Sequence, residues 1–336
     1  MRFNEQRILV TGGAGFIGSN LVDALVREGA RVTVLDDLFT GRKENIKRLK
    51  DIRFVEGSVT RFELVSDLAK DSDLVFHLAV RNIIVSTTSP RLDFLVNTGG
   101  TFNVLLACKT HGVKRMVYAS SASVYGNPRY LPINEDDRLS ILNPYAASKL
   151  SGENHAMAFY ETYGLPVVIL RYSNVYGVNQ SPLNPYCGVV SKFFDGFLNR
   201  KAPLIHGDGE QTRDFTFVKD VVEATLLASL SPKADGEVFN VGSGKESSVN
   251  GLVEHIAEIT RSSLEPVYVD RRDIDNIRRR VLNIEKIRKV LRWVPMTPLH
   301  AGLQKTYEWL MEPSENHRLA ENPQPMEDCQ KGVRRL

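Results

Sequence analysis

Short apolar runs ending near glycine alternate with stretches whose apolar residues stand three and four apart. The first run, Arg7–Thr11 (RILVT), meets a glycine cluster and predicts a buried strand. Ile17, Leu21, Ala24 and Leu25 then follow at helical spacing between residues 16 and 28, and Gly29 stands where a helix stops. A second strand is predicted over 31–35. Further strands over 52–55, 74–78, 115–119 and 166–170 alternate with helices over 62–68, 97–109 and 146–163. That rhythm predicts an α/β fold, a doubly wound parallel sheet of Rossmann type covered on both faces.

After Arg171 the rhythm loosens, and Pro182, Pro185, Gly188, Pro203, Gly207 and Gly209 crowd in. The expected organisation is a first unit over 1–171 and a smaller, mixed C-terminal lobe over 172–311. The lobe is interleaved with returns to the sheet near 215–242, through a helix over 218–230 and a strand over 238–241. Residues 312–336 are polar, contain proline and have no period, which predicts a loose tail.

Composition narrows the function. The 336 residues carry 43 Lys+Arg against 40 Asp+Glu, a net charge of +3, with 42% hydrophobic and 25% charged residues. These values exclude disordered, collagen-like and coiled-coil classes and give no reason to expect nucleic acid as a partner. No apolar run approaches the roughly 18 residues that span a bilayer, and MRFNEQRILV lacks the apolar core of a signal peptide. Cys108, Cys187 and Cys329 share no metal-ligand spacing and cannot form a disulfide framework. A cytoplasmic protein without a metal is expected.

Two constellations carry chemistry. Gly12, Gly15 and Gly18 form GxxGxxG between a strand and a helix: a tight turn, a close approach of backbone to a pyrophosphate, and close helix–sheet packing. The helix start adds unpaired N–H groups and the positive end of its dipole. Asp36 ends the second strand about 20 residues on, where a carboxylate binds both adenosine ribose hydroxyls and repels a 2′-phosphate. The cofactor expected is NAD. Tyr145 and Lys149 stand four apart in YAASK, on one helical face. An ammonium near the phenol favours phenolate, a base able to take a proton from a hydroxyl while hydride leaves the same carbon. The strand over 115–119 delivers Ser120–Ser123 beside them, and a serine there can orient the hydroxyl. His77 reads as a structural histidine at a strand end, and Tyr125 as pocket wall.

GGAGFIG, Asp36, HLA at 77–79, ASSASVYG at 119–126, YAASK, RYSNVYG at 171–177 and GDGEQTRDF at 207–215 together resemble the extended short-chain dehydrogenase/reductase family. Within it they resemble the nucleotide-sugar epimerases and dehydratases, over roughly residues 5–311. The resemblance implies catalytic Ser121, Tyr145 and Lys149. It implies NAD contacts from Gly12, Gly15, Phe16, Ile17, Gly18, Asp36, Asp37 and Leu38. Ser58, Val59, Leu78, Ala79, Val80, Asn97, Ala119, Tyr145, Lys149 and Tyr172 complete that set. It further implies a UDP-linked sugar held by Ser121, Tyr145, Asn174, Val190, Ile205, Arg213, Arg272, Asp275 and Arg280, and a homodimer packed through helices near 97–110 and 146–163. Two positions depart from the family pattern: Ile274 replaces a glycine in the late Arg-x-Gly-Asp, and Ser58 replaces an aspartate after Gly57.

Members begin by oxidising a sugar carbon, usually C4. Dehydratases resemble one another in an Asp-Glu pair directly after the catalytic threonine, and the decarboxylases carry Glu at the second position. Here those positions are Ala122 and Ser123, so subtraction points to a 4-epimerase of the UDP-glucose/UDP-galactose type. UDP-glucuronate and UDP-N-acetylhexosamine stay open as substrates. A dehydratase, a 4-keto reductase and a non-catalytic NAD-binding protein are the competing classes. Arg278–Arg280 reads either as a solvated charge run or, at Arg280, as a side chain facing the sugar.

Overall fold

The computed structural model describes residues 1–47, 52–182, 184, 188–271 and 277–312. Seven strands form its central sheet: β1 (Arg7–Thr11), β2 (Arg31–Asp36), β3 (Ile52–Glu56), β4 (Leu74–His77), β5 (Arg115–Ser121), β6 (Val167–Tyr172) and β7 (Glu237–Val241). Their order is β7-β6-β5-β4-β1-β2-β3, and every pair is parallel. The order reverses between β1 and β4. In an open parallel sheet the crevice at such a switch point is where ligands bind.

Alternate residues of each strand feed opposite faces. Ile8 and Val10 pack on one face with Leu21, Val34, Phe76 and Leu226, under the helices Phe16–Arg27 and Val218–Leu230. Leu9 packs on the other with Leu35, Val65, Val75 and Leu105, under Phe62–Lys70, Thr101–His111 and Pro144–Tyr163. Both faces being covered explains why the strands read as continuous apolar runs.

The helix expected over 97–109 is preceded by structure the pattern does not announce. Ile83–Thr88 and Pro90–Asp93 are helical, and Phe94–Gly100 is one wide turn of π-helix that passes into Thr101–His111. The run IIVSTT is β-branched and favours strand by propensity. It folds as a helix because Asn82 caps it, accepting from the Ile84 and Val85 amides.

Strand β7 returns to the sheet beside β6, as the sequence anticipates. The other lobe segments build a separate aromatic core of Phe193, Phe194, Phe197, Phe215, Phe217 and Leu252. Three helices enclose it: Val189–Leu198, Val249–Thr260 and Leu299–Met311. The expected tail, apart from residue 312, lies outside the described residues. None of the described helices is long and apolar enough to cross a membrane.

Candidate active site

The crevice at the switch point is lined by the glycine loop, the ends of β2, β4 and β5, and the start of the helix Pro144–Tyr163. Two glycines are required by geometry. Gly12 has φ +73°, and a Cβ there would lie 2.7 Å from the Ala79 nitrogen; a Cβ on Gly18 would stand 2.1 Å from the Gly12 carbonyl oxygen. The helix Phe16–Arg27 starts at Gly15 without a side-chain cap or an acid in its first turn. Its leading N–H groups are therefore available to a phosphate.

Asp36 is nearly buried, and its carboxylate accepts from the Ala14 amide (2.9 Å) and the Leu38 amide (2.8 Å). Burial pushes its pKa up, against the pull of those amides. Phe16, Ile17, Asp37, Ser58, Val59, Leu78, Ala79, Val80, Ala119 and Tyr172 line the same crevice. Leu38 and Asn97 do not. Leu38 packs against the core below the sheet. Asn97 lies behind the crevice, its amide oxygen accepting from the Arg81 backbone N–H (2.7 Å) and its nitrogen donating to the Arg81 carbonyl (2.9 Å). Both therefore act on the crevice through the backbone they shape.

Tyr145 and Lys149 reach this crevice from one helix. Asn143 caps it by accepting from the Ala146 amide at 2.9 Å, and Pro144 occupies the first turn, where its missing N–H costs nothing. Ser121 ends β5 and caps the short turn Ala122–Tyr125, accepting from the Ser123 amide at 3.1 Å. The Lys149 ammonium donates to the Ala119 carbonyl (2.7 Å) and lies 4.9 Å over the Tyr118 ring.

Burial pushes the Tyr145 phenol up to about 12, with the Ser121 hydroxyl pulling against it and the Asp93 charge adding to the rise. Burial also lowers Lys149 to about 8, although Asp93 and Glu153 favour its charge. The spacing places the pair on one face, and burial is the largest influence on both titrations.

His77 is structural. It bridges Thr11 (2.7 Å) and Thr101 (2.9 Å) and stacks on Tyr118, and burial drives its pKa down to about 3. The folded state thus excludes a proton that the unfolded chain takes up below about pH 6.5. Stability is lost as pH falls from there toward 3, at most about 1.4 kcal/mol per pH unit. Urea denaturation at pH 7 and pH 5 is expected to show this loss in the wild type and a flatter dependence in His77→Asn.

A buried polar chain runs behind β5. Ser120 donates to Glu153 (2.5 Å), which the Arg171 guanidinium grips at 2.7 and 3.0 Å. Arg171 also donates to the Tyr125 hydroxyl (2.9 Å), which donates to Asn240 (2.6 Å). The sequence reading missed Glu153 and Arg171 as a pair because 18 residues separate them, and Tyr125 is a link in this chain.

The expected sugar contacts scatter. Val190 and Ile205 lie inside the lobe's aromatic core, where they contribute packing. The Asn174 amide donates to the Asp214 carbonyl (3.0 Å), and Arg213 donates to the Thr212 and Ile277 carbonyls, each at 2.8 Å. Arg272 and Asp275 lie outside the described residues. The arginine run divides: Arg278 pairs with Asp208 (2.7 Å) and Arg279 with Glu246 (2.5 Å) at the surface, whereas Arg280 is only 4% exposed.

The profile of the NAD dependent epimerase/dehydratase family matches residues 8–242, which include the whole crevice. The chain belongs to that family. Membership makes it an NAD-dependent enzyme of the epimerase type. Among curated relatives, a putative UDP-glucose 4-epimerase of Methanocaldococcus jannaschii is 40% identical over 306 residues, covering 90% of this chain and 98% of the relative. Among solved structures, the epimerase Mth375 of Methanothermobacter thermautotrophicus superposes with a TM-score of 0.90 at 37% identity, covering 92% and 93% of the two chains. The UDP-glucuronic acid 4-epimerase of Bacillus cereus, in complex with UDP-glucuronic acid and NAD, gives 0.84 at 30% identity, covering 90% and 98%. The parallel seven-stranded sheet is the fold that these epimerases share.

Proposed function

We propose that the chain is an NAD-dependent UDP-hexose 4-epimerase of the UDP-glucose/UDP-galactose type. The observation that carries this reading is the placement of Tyr145 and Lys149 on a crevice whose other end presents Asp36, with the Ser121 hydroxyl hydrogen-bonded to Tyr145. The glycine loop and the leading amides of Phe16–Arg27 suit the pyrophosphate, and Asp36 suits the adenosine ribose. When bound, NAD supplies the acceptor and later donor of the C4 hydride, and its oxidised ring adds positive charge beside the phenol. Tyr145 takes the C4 hydroxyl proton and returns it, Ser121 holds that hydroxyl in line, and Lys149 keeps a positive charge close by. Elimination needs a further acid and base. Among the described residues lining the crevice, the only carboxylates are Asp36 and Asp37, at the ribose end, and Ala122 and Ser123 occupy the positions beside Ser121.

The deciding experiment incubates the enzyme with UDP-glucose deuterated at C4 and follows the sugar by NMR. UDP-galactose that keeps the label is the expected product. A 4-keto-6-deoxy sugar would overturn the reading in favour of dehydration.

A second reading, UDP-glucuronate, is favoured by the burial of Arg280. The next residues pair with the segment after the catalytic strand: the Ile133 amide donates to the Val281 carbonyl (2.9 Å), and Leu282 packs with Ala122, Val124 and Tyr125. A guanidinium on that wall suits a C6 carboxylate, which it would hold bidentately. In Arg280→Ala the ratio of kcat/KM for UDP-glucuronate to that for UDP-glucose is expected to fall at least tenfold, about 1.4 kcal/mol. An unmoved ratio removes Arg280 from sugar recognition.

We also propose a homodimer packed through Thr101–His111 and Pro144–Tyr163. Phe102 and Tyr163 leave 39% and 55% of their surface uncovered there. Light scattering on the eluting protein gives the mass directly.

A further inference from the structure

Arg81 follows β4 and lines the cofactor crevice, yet no sequence motif singles it out. Its backbone is fixed from both sides by Asn97, and its carbonyl also accepts from Ser86 (3.3 Å). From this anchor the side chain reaches the residues that follow β2. Its Nη2 donates to Asp37 Oδ2 at 2.6 Å, and its guanidinium lies 4.1 Å over the Phe39 ring. The residue is 8% exposed, and its buried Nε–H has no acceptor among the described residues.

These observations do not describe an ordinary surface ion pair. A buried N–H left without a partner costs about 1–3 kcal/mol, and a charge taken from water costs more unless it is paired. The arrangement nonetheless joins two strand ends that flank the switch point, next to the carboxylate suited to the adenosine ribose. It also neutralises Asp37. Without Arg81, two adjacent carboxylates would face a cofactor that itself carries a negatively charged pyrophosphate.

We propose that Arg81 and Asp37 form a tie across the adenosine end of the crevice that retains NAD between turnovers. The tie rests on NAD as the cofactor and is independent of which sugar is used. An epimerase needs such retention, because the hydride removed from C4 must return to the same sugar. A cofactor that left while reduced would strand a keto sugar.

The test uses the enzyme as purified, and Arg81→Ala, Arg81→Lys, Asp37→Asn and the double variant Arg81→Ala/Asp37→Asn. Bound NAD per subunit is measured by absorbance and mass spectrometry of the released cofactor after prolonged gel filtration. Release is timed by dilution into excess labelled NAD. Arg81→Ala and Asp37→Asn are each expected to release NAD at least tenfold faster than the wild type, and the double variant no faster than Arg81→Ala. Arg81→Lys, which keeps the charge but lacks the planar fork, is expected to fall between. Melting curves in saturating NAD separate loss of the tie from loss of the fold. Wild-type retention in either single variant whose melting is unchanged overturns the proposal. Rapid release from Arg81→Ala and Asp37→Asn with melting unchanged in saturating NAD supports it. Failure of every UDP-sugar to react, with retention changed as expected, would count against the epimerase reading alone.

Discussion

Tyr145→Phe is expected to lower kcat by about 10³-fold, within the range that positioned proton transfer contributes, while NAD stays bound. The ring and its packing survive this change, and only the oxygen that accepts the C4 proton is lost. Burial pushes the phenol up to about 12, and the oxidised ring of NAD, when bound, would add the positive charge that favours its phenolate. Ser121→Ala removes a group that orients the hydroxyl and pulls the phenol down, and its expected loss is smaller. Steady-state kinetics beside cofactor content checks both. Near-normal turnover in Tyr145→Phe would remove the tyrosine from the chemistry.

The second large effect is on stability. Glu153→Ala or Arg171→Ala is expected to cost about 3–5 kcal/mol, the range for stripping one partner from a buried ion pair. Both side chains are nearly inaccessible, and three hydrogen bonds join them. Glu153 also holds Ser120, next to Ser121, and lies one helical turn beyond Lys149. Replacing both residues by well-packed apolar ones is expected to recover much of the loss, because desolvation offsets most of the attraction in such a pair. Chemical denaturation of the single and double variants measures this, and additive losses would contradict it.

The central sheet was legible because β1, β2 and β4–β6 are buried on both faces and must be apolar throughout. The glycine loop was legible for a different reason: Gly12 and Gly18 occupy places that no Cβ fits. What escaped depends on partners distant in sequence. The helix Ile83–Thr88 is formed by β-branched residues against their propensity, and its Ser86 donates to Asp93, which also accepts from Asn97 and Ser148. The helix Val189–Leu198 was hidden among prolines and glycines, and its apolar face belongs to the lobe's own core. Tyr145 and Lys149 were correctly placed on one face. Their titration was not legible, because spacing gives the distance between charges but not the water around them. Arg280 was ambiguous and Arg81 was passed over for the same reason, since burial of an arginine is decided by what folds over it.

The residues after Arg280 are held by main-chain bonds to Ile133 and by the Asp214 carboxylate. The Ile133 amide donates to the Val281 carbonyl, the Leu282 amide to Asp214, and the Asn283 amide to the Ile133 carbonyl. None of these involves the side chain at position 280. The path of residues 281–283 is therefore set by bonds to Ile133 and Asp214. On the proposed reading of Arg280, a substitution there changes the group that meets the sugar without removing any of those three bonds.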